Sequence, residues 1–147
     1  MGFIEKILAE DEIIIRKIKL HWLNYAPVIT WFLLGIYFSE KSELGFIIPI
    51  SISFYLFLGV YFTEYVLTNK RIILKKGIIS RYTEEQILKK VETVEFKQGI
   101  LPRLFGTGSV QVTGTGNSII LFRYVVNPIG VRKIIDKTVN EYNLKNK

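Results

Sequence analysis

The sequence predicts an α+β protein in which an N-terminal two-helix transmembrane hairpin is followed by a β-domain that one C-terminal helix closes. Two uncharged runs, residues 22–38 and 44–63, follow each other closely and favour the helical hairpin. After residue 64, short β-prone runs alternate with Gly, Asn and Pro, which is typical of strands and turns. Apolar residues then recur at helical spacing after Pro128.

Composition narrows the possible chemistry. The mean hydropathy of the chain is positive, at +0.27, and hydrophobic residues make up 49% of it, which together are typical of a membrane protein that carries one soluble domain. The chain has no cysteine, which excludes disulfides, thiolate metal sites and a cysteine nucleophile. It has one histidine, His21, so a zinc site built on several histidines is excluded. We expect neither a metal nor a cofactor.

Residues 1–20 form a predicted cytoplasmic arm that carries four acids and four bases. Ile4, Ile7 and Leu8 have the spacing of an amphipathic surface helix. Residues 12–19 favour a strand that joins the later sheet, and the alternative that their pattern leaves open is a helical lead into the first span.

The hairpin is predicted over residues 21–64, with spans at about 21–38 and 44–64. About 20 apolar residues in a helix cross a hydrocarbon core of roughly 30 Å. Aromatic residues flank both runs, as they do at membrane interfaces, and Pro27 and Pro49 are expected to kink the helices. A cleaved signal peptide fits poorly, because the first run starts late and no small-residue cleavage site follows it. Burial of both runs in a soluble core would need a much larger soluble fold.

Charges beside the two runs predict the orientation. Arg16, Lys17 and Lys19 precede the first run, and Lys70 and Arg71 follow the second, whereas the short connection holds one lysine. Segments rich in Lys and Arg beside a membrane span usually stay in the cytoplasm. The charges therefore predict a protein integral to the cell membrane, with both termini in the cytoplasm. No charged residue lies within either run, so nothing in the sequence indicates an ion path or a transport site.

Residues 65–147 are predicted to form the β-domain. Strands are expected at 65–68, 71–75, from 78 to 83, and at 91–97, 109–113 and 118–124. In the fourth of these, Val91, Phe96 and either Thr93 or Val94 share one face. Gly, Asn or Pro residues mark the connections at 69–70, 77, 99–106 and 114–117, and the third of these connections is expected to hold one helical turn.

A closing helix follows the last strand. Asn127 and Pro128 have the pattern of a helix start, with Asn as the N-cap and Pro in the first turn. Ile135, Val139 and Tyr142 then recur at spacings of four and three residues, which places them on one helix face. The helix is therefore predicted to pack this face on the strands.

Several segments resemble one known family. They are Y-V-L-T-N-K-R-I-I-L-K-K-G-I-I-S-R from Tyr65, K-V-E-T-V from Lys90, L-F-G-T-G-S-V-Q-V-T-G-T-G from Leu104 and F-R-Y-V-V-N-P from Phe122, with D-E-I-I-I-R-K-I-K-L-H-W upstream. In this order they resemble the bacterial pleckstrin-homology-like (PH-like) domain of the YdbS/YdbT type over nearly the whole chain. The resemblance implies a bent β-sheet or partly open barrel capped by a C-terminal helix, no established enzymatic activity, and a membrane-tethered module for protein assembly. Phosphoinositide binding is not carried over, because fold likeness alone does not set function.

The patterns that could suggest an enzyme have simpler explanations. Residues 106–108 and 114–116 are glycine-rich but lack the Lys and the helix start of a phosphate loop, so they are interpreted as turn or bulge residues. The paired acids at 84–85 and at 92 and 95 fit solvated strand faces. His21 lies at the membrane boundary, away from any serine and acid of a catalytic triad. We expect no enzymatic activity.

The C-terminal part is strongly basic. Residues 65–147 carry fifteen Lys and Arg residues against six acids. Beside a bilayer such charge is attracted to anionic headgroups, by roughly 1 kcal/mol per cation near the surface. Six cations are predicted to form a basic rim near the membrane that contacts an anionic headgroup or a partner, with a solvated face as the alternative: Lys70, Arg71, Lys75, Lys76, Arg81 and Arg103.

These patterns favour a non-enzymatic module that is anchored in the cytoplasmic membrane and mediates assembly with a protein partner or with itself. Binding or sensing of anionic lipid headgroups by the basic rim is the alternative function. Nucleic-acid binding is compatible with the basic charge but is not expected, because the tether keeps the domain from a chromosome and the aromatic residues fall mostly at core positions.

Overall fold

The computed structural model describes residues 8–77, 82–116 and 118–145. Over these residues it is an α+β fold with two antiparallel sheets. The strands are β1 Ile14–Ile18, β2 Glu64–Thr68, β3 Arg71–Lys76, β4 Tyr82–Ile87, β5 Val91–Lys97, β6 Thr107–Gly114 and β7 Ser118–Val126. The α-helices are α1 Ala26–Ser39, α2 Glu43–Tyr61, α3 Ile100–Leu104 and α4 Pro128–Lys145, and short 3-10 turns lie at Trp22–Tyr25 and Leu88–Lys90.

β1 precedes the helical hairpin in the chain, and it pairs with the strand that follows the hairpin. β1 pairs antiparallel with β2, with Ile18 opposite Tyr65. β3 and β4 continue the sheet, which has the order β1-β2-β3-β4. The prediction of a strand within residues 12–19 is confirmed, and α1 and α2 therefore connect two neighbouring strands.

The second sheet has the order β5-β6-β7 and is also antiparallel. Leu20, just after β1, forms a bridge to Val125 of β7, which links the two sheets along one side. No ladder joins β4 to β5 within the described ranges. This arrangement is consistent with a PH-like fold that is closed on one side and open on the other.

The main hydrophobic core lies between the two sheets and α4, and a smaller separate cluster consists of Ile14, Val66 and Ile73. Full burial of each such side chain stabilises the fold by roughly 1.5–3 kcal/mol. On α4, Val131 and Ile135 are buried while Val139 and Tyr142 pack at the edge of the core, which confirms the predicted helix face. The largest fully buried core side chains are Leu67, Ile72, Leu74, Leu88, Val110, Val112, Phe122, Val125 and Ile135.

The start of α4 is also confirmed. The side-chain oxygen of Asn127 accepts a hydrogen bond from the backbone N–H of Gly130 at 3.0 Å. The backbone carbonyl of Asn127 accepts from Val131 at 3.0 Å. The first bond satisfies an N–H group that has no backbone partner inside the helix, and the second is the first i→i−4 bond of the helix.

Some strands differ in detail from their sequence pattern. A register irregularity in β5 between Val91 and Thr93 breaks the alternation, so Val94 rather than Thr93 is the buried residue. β6 and β7 extend beyond the predicted strands at 109–113 and 118–124. Residues 78–81, where the third predicted strand begins, lie outside the described residues, as do Ile4, Ile7 and Asn117.

Candidate functional site

α1 and α2 form an antiparallel pair with an apolar surface. The hydroxyl of Ser53 on α2 donates to the carbonyl of Val28 on α1 at 2.8 Å. Gly35 permits close packing, since a Cβ there would lie 3.0 Å from Ile50 Cγ1. α2 has 19 residues with a mean hydropathy of 2.0 and is long and apolar enough to cross a membrane. Large apolar side chains are exposed on both helices, among them Ile29, Phe32, Leu33, Ile36, Phe46, Ile47, Ile48 and Phe54.

The first predicted span is not one continuous α-helix. Trp22–Tyr25 is a 3-10 turn, and α1 has 14 residues, which is fewer than an α-helix needs to span a bilayer alone. The reason is Pro27, which lies in the first turn of α1 and begins the helix there instead of kinking it. Among the described residues α2 is the one helix that combines the length of a span with the hydropathy of one. Crossing by α1 and the two-span topology stay predictions.

Hydrogen bonds fix the start of the hairpin to β7. The carbonyl of Tyr124 accepts from the backbone N–H of His21 at 2.7 Å and from Asn24 Nδ2 at 3.0 Å. The N–H of Val126 donates to the carbonyl of Lys19 at 3.1 Å. Tyr124 has a φ of 43°, which is costly for a residue with a Cβ and persists only where neighbouring contacts enforce it. The hairpin is therefore held against the β-domain and is not joined to it by a loose linker.

A cleft of about 710 Å³ opens between the hairpin and the β-domain. Its hairpin side is mostly apolar and includes Pro27, Leu56 and Val60. Its β-domain side has a different chemistry, with two cations and a phenol: Lys76, Arg123 and Tyr65. The cleft therefore has one wall suited to hydrocarbon and one suited to an anion.

Tyr65 is held in this cleft by its neighbours. Its ring packs edge-on against Phe122, with centroids 4.8 Å apart. Its hydroxyl oxygen accepts a hydrogen bond from the backbone N–H of Arg123 at 3.3 Å. Burial raises the pKa of Tyr65, against the lowering effect of that hydrogen bond and of the Arg123 charge, while the Glu84 charge acts with burial. The hydroxyl therefore keeps its proton at neutral pH and can donate it to an acceptor.

An exposed apolar patch lies near the start of the hairpin. Ile100, Leu101 and Leu104 of α3 are 91%, 68% and 78% exposed. The next residue, Phe105, contacts the ring of Trp22 edge-on, with centroids 5.3 Å apart. Since Trp22 is the first residue of the first uncharged run, this patch adjoins the helical hairpin.

Comparison with known families assigns the fold. The family model described as Bacterial PH domain matches residues 13–138, which include both sheets, the hairpin and most of α4. The chain belongs to the bacterial PH domain family. No curated protein and no solved structure matches it. Because PH-like domains are generally non-catalytic, membership suggests a binding module.

In this bacterial PH domain, the cations of the predicted basic rim that the structure describes do not lie in one place. Lys70 precedes β3 and Lys76 ends it, so the two lie at opposite ends of one strand, about 20 Å apart at the spacing of extended chain. Lys70 lines a small pocket with Tyr142 of α4, whereas Lys76 lines the cleft. Arg103 is exposed on α3, and Arg81 lies outside the described residues. The role of these cations as contacts stays a prediction.

The other two cations of the predicted rim are engaged by acids of the PH domain. Lys75 is 8% exposed, and its Nζ lies 3.7 Å from Glu64 Oε1. Arg71 Nη2 lies 2.8 Å from Glu12 Oε2, and Arg71 Nη1 lies 2.6 Å from Glu85 Oε2. Both residues therefore form ion pairs within the fold.

Glu12 is the buried centre of the Arg71 network. Its carboxylate accepts hydrogen bonds from Arg71 Nε at 2.9 Å, from the hydroxyl of Thr68 at 2.7 Å and from the N–H of Ala9 at 3.1 Å. Burial acts to raise the pKa of Glu12, but the hydrogen bonds from Arg71, Thr68 and Ala9 outweigh it and lower the pKa below its ordinary value. The network ties the segment before β1 to the turn between β2 and β3.

The sequence did not identify three residues of the PH-domain cleft as candidate site residues: Tyr65, Arg123 and Tyr124. In the sequence, Arg123 and Tyr124 fall at the end of one predicted strand, and Tyr65 falls at the start of another. Nothing local marks them, because the cleft is formed where β7, β2 and the hairpin meet. In the part of the chain that the structure describes, no three His, Asp or Glu side chains are grouped as metal ligands.

Proposed function

We propose that this bacterial PH domain is a non-enzymatic module that a two-span helical hairpin anchors in the cell membrane. Both termini and the β-domain lie on the cytoplasmic side. There the β-domain mediates assembly with a protein partner or with a second copy of the chain.

The pairing of β1 with β2 is the observation that carries the anchoring proposal. Ile18 and Tyr65 are register partners on either side of the hairpin, so both ends of the hairpin lie on the same side of a membrane. The chain between them therefore crosses an even number of times. Since α2 has the length and hydropathy of a span, a membrane crossing by α2 requires that the preceding segment crosses as well.

The length of the first segment supports this requirement. At 1.5 Å per residue, α2 is about 28 Å long. α1 is about 21 Å long, and the 3-10 turn before it adds about 8 Å at 2.0 Å per residue. Each segment thus comes close to the roughly 30 Å thickness of the hydrocarbon core.

We expect single-cysteine labelling to report this topology directly, because the natural chain has no cysteine. In intact cells, Lys41→Cys in the connection between α1 and α2 should react with a membrane-impermeant maleimide. Lys145→Cys at the end of α4 should react only after lysis. The protein should also stay in the membrane pellet at alkaline pH. Labelling of Lys145→Cys in intact cells, or release of the chain from the pellet, would contradict the proposal.

The free edge of β4 is the best-supported surface for assembly. β3 is its one ladder partner within the described residues, so its other edge presents backbone groups that can pair with another strand. Tyr82 and Ile87 at the two ends of β4 are 59% and 47% exposed. An extended edge flanked by exposed apolar side chains is typical of strand-addition interfaces.

Lysine substitution at both Tyr82 and Ile87 should disrupt such a complex. We expect wild-type protein in mild detergent to run as a complex of defined mass on native gels. The complexed fraction of the double variant should fall about tenfold, which corresponds to roughly 1.4 kcal/mol. Ile129→Lys, at an exposed position on α4, is the control and should leave the complex intact. A complex that survives the double substitution would exclude this edge.

Binding of anionic lipid headgroups is a second candidate function. The observation that favours it is the position of Lys76 and Arg123, which face the hairpin across the cleft. Charges placed there lie close to the surface of the bilayer that the hairpin would enter.

A further inference from the structure

We infer that the cleft between the hairpin and the β-domain is a binding site for one anionic glycerophospholipid. Its phosphate lies between Lys76 and Arg123, and its acyl chains lie along Pro27, Leu56 and Val60. This inference rests on the membrane anchoring proposed above and adds a specific site to it.

The position of the cleft matches the boundary between hydrocarbon and headgroups. α2 ends at Tyr61 and β2 begins at Glu64, so two residues separate the helix from the sheet. Thr63 in this short connection lines the cleft together with Val60 of α2 and Tyr65 of β2. A bilayer that encloses α2 therefore ends at the level of the cleft.

The two walls match the two halves of a lipid. The hairpin wall offers aliphatic and aromatic surface, and Gly59 leaves space there, since a Cβ added to it would meet no atom within 4 Å. The volume of about 710 Å³ lies within the range of small-molecule sites and accommodates a headgroup with the first part of its chains. A soluble anion would leave the apolar wall unused.

The charges of the other wall favour a net negative headgroup. Neither Lys76 nor Arg123 forms an ion pair with an acid among the described residues. The nearby acids are Glu64, which pairs with Lys75, and Glu84, which acts on Tyr65. Arg and Lys donate short, charge-assisted hydrogen bonds to phosphate oxygens. A zwitterionic lipid would add an ammonium group to this cationic wall.

Tyr65, which lines the cleft and is 3% exposed, adds a neutral donor next to the Arg123 backbone. Its hydroxyl oxygen already accepts from the Arg123 backbone, so the O–H proton remains to be donated. The ring is fixed by Phe122, so this donor is held in place before a ligand arrives. A preorganised donor costs less conformational entropy on binding than one that must be ordered.

The experiment is native mass spectrometry of the full-length protein in detergent, titrated with phosphatidylglycerol, with phosphatidylcholine in a parallel arm. Wild-type protein should retain one phosphatidylglycerol and far less phosphatidylcholine. The double variant Lys76→Gln, Arg123→Gln should lose about tenfold or more of the retained phosphatidylglycerol. The matched control is Lys89→Gln, Lys133→Gln, which removes two exposed cations outside the cleft and should retain the lipid.

A second variant tests the site without changing charge. Gly59→Trp places a ring in the open space of the cleft and should also lose the bound lipid. Inorganic phosphate at millimolar concentration should not displace the lipid, because the apolar wall contributes to its binding.

The outcomes separate this inference from the anchoring proposal. Equal retention of phosphatidylglycerol by wild type, the double variant and Gly59→Trp would overturn the inference, as would an equal loss in the control or full displacement by inorganic phosphate. Equal retention of phosphatidylcholine would overturn the preference for an anionic lipid. If the alkaline membrane pellet lacks the wild-type protein, the anchoring itself fails, whereas pelleted variants with unchanged lipid retention refute the lipid site alone.

Discussion

Replacement of Arg71 by Met is expected to lower the free energy of unfolding of the β-domain by about 3 kcal/mol or more. The Glu12 side chain is 1% exposed, and Arg71 is its main hydrogen-bond partner. Without the guanidinium, the Glu12 carboxylate is left as an uncompensated buried charge or must take up a proton. Met keeps most of the side-chain volume, so the change removes the charge and its hydrogen bonds with little loss of packing.

Glu85→Gln is the control for this prediction. Glu85 contacts the same guanidinium at 2.6 Å, but its side chain is 35% exposed, so water replaces much of what the substitution removes. We expect a loss below about 1 kcal/mol. Urea denaturation followed by far-ultraviolet circular dichroism in detergent measures both variants. Equal losses would show that burial of Glu12 does not determine the effect.

The same ion pair makes the fold sensitive to acid. The folded-state pKa of Glu12 lies below its ordinary value, so its ionised form stabilises the folded state. This contribution is fully present above the ordinary carboxyl pKa of about 4.3 and is lost as pH falls through the lower folded-state value. Wild-type stability should therefore fall on acidification below about pH 4, and that of Glu12→Gln should fall less.

Phe122→Ala should lower the free energy of unfolding by about 3–5 kcal/mol. Phe122 is fully buried at the centre of the core, and its ring packs against Tyr65. Truncation leaves a cavity that the two sheets cannot close, because each is held by its own ladders. The substitution also removes the support of the Tyr65 ring in the cleft.

Ile119→Ala, three residues earlier in the same strand, is the matched comparison. Ile119 is 47% exposed, so its truncation should cost less than about 1 kcal/mol. Denaturation midpoints of the two variants under the same conditions decide the prediction. A cost for Phe122→Ala near that of Ile119→Ala would mean that the core between the sheets is not packed as described.

Much of the β-domain could be predicted from local pattern. β5 was predicted with its observed bounds because apolar residues recur along it, and α4 because Asn127 and Pro128 mark its start. β1 was recognised as a strand, although its partner lies beyond the hairpin. The irregularity within β5 was not predicted, because it depends on the register with β6.

The candidate site was less predictable. The sequence identified an excess of cations, but it could not show that Glu12 and Glu64 pair with Arg71 and Lys75 across neighbouring strands. These pairs depend on tertiary contacts between residues far apart in the chain. Arg123 is identified as a candidate site residue only because it lines the cleft that β7 forms with the hairpin.

The strand arrangement separates β1 from its partner β2 during synthesis. β1 leaves the ribosome first, yet its partner β2 follows only after the whole helical hairpin has been synthesised. The loop between Ile18 and Glu64 must close before the β1–β2 ladder forms, and loop closure carries an entropic cost. Under the proposed two-span topology, β1 and β2 can pair only if α2 and the segment before it cross the membrane together, because a crossing by one of them alone would leave the strands on opposite sides. The same proposal implies that a chain with only one helix inserted lacks the β1–β2 ladder.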